Sequence, residues 1–207
     1  MIEDIDVIKV KICGLSRPCD IEAVNEYKPD FVGFVFAENS RRKITPDQAL
    51  ELREKLDPDI AAVGVFVDET IENIIAVTLS GVIDFIQLHG SEGENFIRLL
   101  KELTDKPVIK AVAVQNKGDA QRWDNTSADF LLLDNPGGGT GKSFDWDLIG
   151  ERRKPYFLAG GLCPGKAELA VKRIRPYAVD ISSGVETNGS KDPAKIREFI
   201  RRVRNVE

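Results

Sequence analysis

Histidine and methionine occur once each in these 207 residues, tryptophan twice and cysteine three times. The cysteines, Cys13, Cys19 and Cys163, stand apart, with no CxxC pair and no histidine at ligand spacing. That argues against a zinc site or a disulfide framework. No apolar run approaches the ~18 residues of a membrane span. The first residues carry acids where an export signal carries basic side chains. An excess of basic charge is also missing: 29 Lys and Arg stand against 34 Asp and Glu, a net charge of −5. Nucleic acid and anionic membrane surfaces, which require a basic face, are therefore not expected as partners. Scattered thiols without an export signal point to a reducing cytoplasm.

What the chain has is a globular composition, 42% hydrophobic and 30% charged, with a recurring pattern. Short, nearly continuous apolar runs cover Val7 to Ile12, Phe31 to Phe36, Ala61 to Val67 and Phe85 to Leu88. They continue at Val108 to Val114, Phe130 to Leu133, Tyr156 to Ala159 and Ala178 to Ile181. Each has the length and character of a strand covered on both faces, as in a parallel sheet.

Helical segments are predicted between them. Thr45-Pro46-Asp47 supplies an N-cap, a proline for the first helical position and an acid for the first turn. Asp192-Pro193 repeats the signal before a helix from Ala194 to Val203. From Glu92 to Leu103, the residues Phe96, Leu99, Leu100 and Leu103 fall on one helical stripe. Pro164 and Gly165 open a further stretch carrying Leu169 and Val171, and Phe144-Asp145-Trp146 reads as a helix start with a packing anchor. Eight such units in 207 residues, about 26 residues each, predict a single-domain α/β fold over residues 1–207, a (β/α)8 barrel leaner than the ~250 residues usual for it. A doubly wound open sheet is the alternative.

In a barrel, chemistry sits on the loops after the strands. Unusual polar residues fall there: Cys13 after the first run, Arg41-Arg42 after the second, His89 after the fourth and Asp134 after the sixth. Gly160 and Gly161 follow the seventh; Asp180 and Ser182-Ser183-Gly184 end the eighth. Small residues after the last two strands let backbone N–H groups approach an anion. Gly160, Gly161, Ser182, Ser183 and Gly184 are accordingly phosphate-binding candidates, with tight turns as the plain alternative. The loop from Gly137 to Gly141, with Asp134 at its root, has the composition of a lid. It is not a P-loop, because Pro136 stands where the first glycine of GxxxxGK[ST] belongs.

These segments together resemble the phosphoribosylanthranilate isomerase family over essentially the full length. The resemblance is carried by Lys11-Ile12-Cys13-Gly14, Gly33-Phe34-Val35-Phe36, Ser40-Arg41-Arg42 and Gln87-Leu88-His89-Gly90. It continues through Leu133-Asp134, Gly138-Gly139-Thr140-Gly141, Phe144-Asp145-Trp146, Leu158-Ala159-Gly160-Gly161-Leu162 and Asp180-Ile181-Ser182-Ser183-Gly184-Val185-Glu186. The resemblance implies a (β/α)8 fold and the Amadori rearrangement of N-(5-phosphoribosyl)anthranilate to its 1-deoxyribulose 5-phosphate isomer, a step of tryptophan biosynthesis. It implies Cys13 as general base, Asp134 as general acid and Arg42 facing the anthranilate carboxylate.

The chemistry suits those groups. One acid and one base suffice, because the substrate's own nitrogen is the electron sink, so no metal, nicotinamide or pyridoxal cofactor is expected. A free thiol, with pKa ~8.5, is mostly protonated at neutral pH, so nearby positive charge should help Cys13; a buried apolar role is its alternative. An arginine fork fits a carboxylate better than lysine does, although Arg42 also suits a solvated surface. His89 and Asp180 are candidate substrate contacts, with structural roles equally open. The expected partner is a small-molecule substrate, and a homodimer is left open. Two rival functions stand beside this one. The related histidine-pathway isomerase is expected to use an aspartate where this chain has Cys13. A non-catalytic phosphate-binding barrel would need neither Cys13 nor Asp134.

Overall fold

The computed structural model describes residues 7–136 and 143–206, so the expected lid at Gly137 to Gly141 lies outside the described residues. Eight parallel strands pair in chain order and close on themselves. They are β1 (Lys9–Cys13), β2 (Phe31–Val35), β3 (Ala61–Phe66), β4 (Phe85–Leu88), β5 (Val108–Ala113), β6 (Phe130–Asp134), β7 (Tyr156–Leu158) and β8 (Ala178–Ile181). The apolar runs match them to within two residues, and β4 and β8 match at both ends. The open-sheet alternative is excluded because β1 pairs with β8, Lys11 lying opposite Asp180.

Strand alternation sorts the side chains. On β1, Val10 and Ile12 join the layer beneath the helices, while Cys13 joins an interior cluster with Val35 and Val65. Near the strand starts, Phe31, Phe85, Phe130, Phe157 and Tyr177 plug the barrel, with ring centroids 4.9 to 6.2 Å apart. Aromatic mass at that end leaves the opposite mouth to polar side chains.

Among the described residues six α-helices flank the barrel: α1 (Pro18–Tyr27), α2 (Pro46–Arg53), α3 (Ile71–Leu79), α4 (Glu94–Leu103), α5 (Ala167–Ile174) and α6 (Pro193–Arg204). The expected caps form. Thr45 accepts from the Gln48 amide at 3.2 Å and Gln48 returns the bond at 2.9 Å; Asp192 accepts from Ala194 N and Lys195 N.

The regular eightfold alternation needs correction. Between β5 and β6, and between β6 and β7, the described residues hold only 3-10 turns, Gln121–Trp123 and Trp146–Leu148. Before the first, Asp119 accepts from the amides of Gln115 (3.0 Å) and Asn116 (2.7 Å), and such side-chain acceptors compete with a helix. In the second, Trp146 is buried as an anchor.

The α4 stripe also differs. Ile97 and Leu100 are sealed, whereas Leu99 and Leu103 are 48% and 54% exposed. The helix starts at Glu94 because Glu92 turns inward, accepting from Asp68 N, Gly90 N and Lys110 Nζ. On α5, Val171 packs inward with Ala167 and Ala170, and Leu169 faces solvent. After β8 comes an unforeseen hairpin, β9 (Glu186–Thr187) and β10 (Ser190–Lys191). Its turn residues, Asn188 and Gly189, both have positive φ, 51° and 82°, the conformation that Asn-Gly favours.

Candidate active site

At the end of β1, Cys13 is 8% exposed. A Cβ on Gly33 of the neighbouring strand would stand 2.7 Å from its sulfur, so the glycine makes room for the thiol. Two residues earlier on the same face, Lys11 is fully buried, and its ammonium meets Asp180 Oδ1 at 2.9 Å. Burial pushes the Cys13 thiol up; Lys11 and Lys191 pull it down and Asp180 opposes them, with a net rise. The expected positive charges are present, but desolvation outweighs them. Lys11 itself is held above its ordinary value: burial disfavours the charge, and Asp180 and Cys13 more than restore it.

The β9–β10 hairpin brings a second charged group to the mouth. Glu186 accepts from Arg42 Nε at 2.6 Å and Nη2 at 3.1 Å, from Arg41 at 2.5 Å and from Lys191 at 2.9 Å. Burial opposes ionisation of Glu186, yet the bonds from Arg42 and Lys191 leave its pKa below the usual carboxylate range. Of the two arginines, Arg42 is turned inward, with its side chain 13% exposed against 58% for Arg41. Gly14 (φ +80°) lets it pass, since a Cβ there would meet Arg42 Cδ at 2.3 Å. Lys191 also donates to the Ser182 carbonyl at 2.9 Å, and Ser182 Oγ donates to the Cys13 carbonyl at 2.9 Å, tying the ends of β8 and β1 together. Burial lowers the Lys191 ammonium from its ordinary value.

Across the barrel, Asp134 ends β6 and is 9% exposed. Its Oδ1 accepts from Asn135 N at 2.7 Å, and Oδ2 lies 3.5 Å from Nε2 of His89. The other His89 nitrogen, Nδ1, is 2.8 Å from the Gln87 amide nitrogen. Gly160 (φ +81°) packs against this corner, where a Cβ would meet Asn135 N at 2.9 Å and Asp134 Oδ1 at 3.0 Å. Gly184 lies so close to the β7 loop that a Cβ would meet the Leu162 carbonyl at 2.0 Å. Among the described residues no acceptor pairs with the amide N–H of any of the five phosphate candidates, Gly160, Gly161, Ser182, Ser183 and Gly184. Gly160 and Ser182 have the packing and hydrogen-bonding duties just given.

The residues singled out in the sequence therefore gather at one end, on the loops and strand ends of β1, β2, β4, β6, β7 and β8. Four polar neighbours had no assigned role: Lys11, Gln87, Glu186 and Lys191. Lys11 and Asp180 each interrupt an apolar strand run, and a closed barrel makes their strands adjacent. Asn188-Gly189 signals the hairpin that carries Glu186 and Lys191.

Ionisable groups collected at the C-terminal end of a closed parallel barrel define the class, a (β/α)8-barrel enzyme. The sequence pattern of the N-(5'-phosphoribosyl)anthranilate (PRA) isomerase family matches residues 10–202. An N-(5'-phosphoribosyl)anthranilate isomerase from Endomicrobium trichonymphae is 49% identical over 202 residues, 96% of this chain and 99% of that protein. The Thermotoga maritima phosphoribosyl anthranilate isomerase structure superposes with a TM-score of 0.88 at 38% identity, covering 96% of this chain and all of that one. It is a dimeric enzyme from which monomers have been made. A relative of equal identity and coverage, with a TM-score of 0.86, holds reduced 1-(o-carboxyphenylamino)-1-deoxyribulose 5-phosphate. The chain belongs to the N-(5'-phosphoribosyl)anthranilate isomerase family.

Proposed function

We propose that Cys13 and Asp134 are the base and acid with which this chain carries out its family's reaction, the isomerisation of N-(5'-phosphoribosyl)anthranilate in tryptophan biosynthesis. The observation that carries this is a thiol ending β1 and a carboxyl ending β6, three strands apart around one mouth. Asp134 protonates the furanose oxygen while the anthranilate nitrogen pushes its lone pair toward C1. The C1–O bond breaks and a protonated Schiff base forms. The Cys13 thiolate then takes the C2 proton, the electrons move to nitrogen, and an enolamine results. Its C2 hydroxyl loses a proton as C1 gains one, giving the ketone with no net change in composition. Because burial raises the thiol, forming the thiolate is the costly part, and Lys11 and Lys191 offset it.

Arg42 binds the anthranilate carboxylate. Glu186 occupies its Nε and Nη2, and Nη1 remains for the substrate. The N–H groups of Gly161, Ser183 and Gly184 seat the phosphate, with Gly160 and Ser182 shaping that seat. Asp180 accepts from the anthranilate nitrogen or a ribose hydroxyl through the carboxylate oxygen not taken by Lys11, and His89 faces the ribose beside Asp134. The substrate is a small molecule, and the homodimer of the Thermotoga maritima relative is the assembly we assign to this chain. Its place is the cytoplasm, where its three free thiols stay reduced; no described helix is long and apolar enough to cross a membrane.

The test follows loss of anthranilate fluorescence with freshly made substrate. Cys13→Ala and Asp134→Asn should each lower kcat by at least ~10²-fold, the lower range for losing a positioned acid or base. Near-normal turnover in either variant removes that residue from the mechanism.

A further inference from the structure

On β4 the interior residue two places before His89 is Gln87, an amide sealed in the barrel at 1% exposure. Such an amide has two N–H donors and a carbonyl acceptor to satisfy. Its Nε2 lies 2.8 Å from His89 Nδ1, but Oε1 has no hydrogen-bond partner among the described residues. A buried carbonyl left unpaired is a cost to folding, and an apolar side chain of similar volume would avoid it.

We propose that Gln87 is a positioning residue that keeps the proton of His89 on Nε2, aimed at Asp134. A neutral imidazole has one donor nitrogen and one acceptor nitrogen. If Gln87 donates to Nδ1, the ring proton sits on Nε2, which faces Asp134 Oδ2 at 3.5 Å. An ionised carboxylate only accepts, so the Nε2–H then faces an acceptor, at ion-pair rather than hydrogen-bond distance. Turning the amide over puts Oε1 against an Nδ1–H and leaves a bare Nε2 lone pair opposite the carboxylate. With a neutral ring and Asp134 ionised, as it is once its proton has been given up, the two contacts agree in a single arrangement, and it is the one that leaves Oε1 unpaired. Resting on the role proposed above for Asp134, the consequence is catalytic timing. Once Asp134 has given its proton to the ring oxygen, the His89 N–H stabilises the carboxylate that remains.

The chain has a single histidine, so the full-length protein grown with 15N-labelled histidine gives one imidazole spectrum. In mildly alkaline buffer the wild type should show Nε2 protonated and Nδ1 bare. Gln87→Glu, which offers only acceptors in the same shape, should move the proton to Nδ1, and Gln87→Leu should give both tautomers. In each variant kcat should fall about five- to tenfold, the factor for one lost hydrogen bond, with KM unchanged. A wild-type proton on Nδ1, an unchanged spectrum in Gln87→Glu, or full kcat despite a moved proton overturns the proposal. Should Gln87→Leu fail to fold, Gln87→Glu still decides. Full turnover in Asp134→Asn would instead overturn the role of Asp134, while the spectrum judges Gln87 independently.

Discussion

A methyl group on residue 33 would stand 2.7 Å from the Cys13 sulfur, and Gly33 has an ordinary extended backbone that alanine also adopts. The substitution therefore tests where the thiol sits more than whether the chain folds. Gly33→Ala should keep a cooperative melt and lose about 10²-fold in kcat, the effect of a ~1 Å misplacement at a reacting centre. A kcat close to wild type would mean the thiol's position is unimportant. Arg42 offers a complementary measurement. Arg42→Ala should raise KM about ten- to hundredfold, the loss of one charge-assisted contact, with a smaller change in kcat. Glu186 would keep Arg41 and Lys191 as partners, so stability should change little. Arg42→Lys should recover only part of the loss, since lysine lacks the planar fork. An unchanged KM in Arg42→Ala would refute the carboxylate role.

Among the elements, α4 is fastened to the loop before β6 through its first residue. Glu94 accepts from Thr126 Oγ1 and Ser127 Oγ at 2.6 Å, from Ser127 N at 3.0 Å and from Arg98 at 3.0 Å. Burial opposes its ionisation, but these donors prevail and hold its pKa at about 2. An acid whose pKa is lower folded than unfolded adds stability that is complete above the unfolded value, ~4.3 for glutamate. That stability drains away as pH falls toward the folded value. Melting temperature should therefore drop between about pH 4.5 and 2 more steeply in the wild type than in Glu94→Gln; parallel curves would show that the contacts carry no net energy. The strands were legible because runs buried on both faces are apolar throughout, and nothing competes with that signal. The helix caps were legible because Thr45 and Asp192 act locally. Residues 114–129 misled because a side-chain cap on Asp119 suits a turn as well as a helix start. Leu99 and Leu103 misled because the segment is apolar on overlapping stripes, and only contact with the barrel selects Ile97 and Leu100. That Cys13, Asp134 and Arg42 stand at one mouth was legible from their places after the first, sixth and second strand runs. Glu186 was not, because its two arginine partners come from the loop after β2, 144 and 145 residues earlier in the chain.

The whole molecule depends on closure. Lys11 on the first strand meets Asp180 on the last across the seam of the barrel, and Ser182 ties β8 to the Cys13 carbonyl. A thiol on the first strand and a carboxyl on the sixth come to one mouth because the sheet returns on itself. Aromatic rings fill the opposite end, near the strand starts. The most direct measurement is a crystal structure of this chain with reduced 1-(o-carboxyphenylamino)-1-deoxyribulose 5-phosphate bound. The Cys13 sulfur should lie within ~3.5 Å of C2 and an Asp134 oxygen within similar reach of the sugar oxygen freed by ring opening, the separations of a reactive pose. A ligand seated with its phosphate at Gly161 and Gly184 but with either group beyond reach of those atoms would contradict the acid–base assignment at its root.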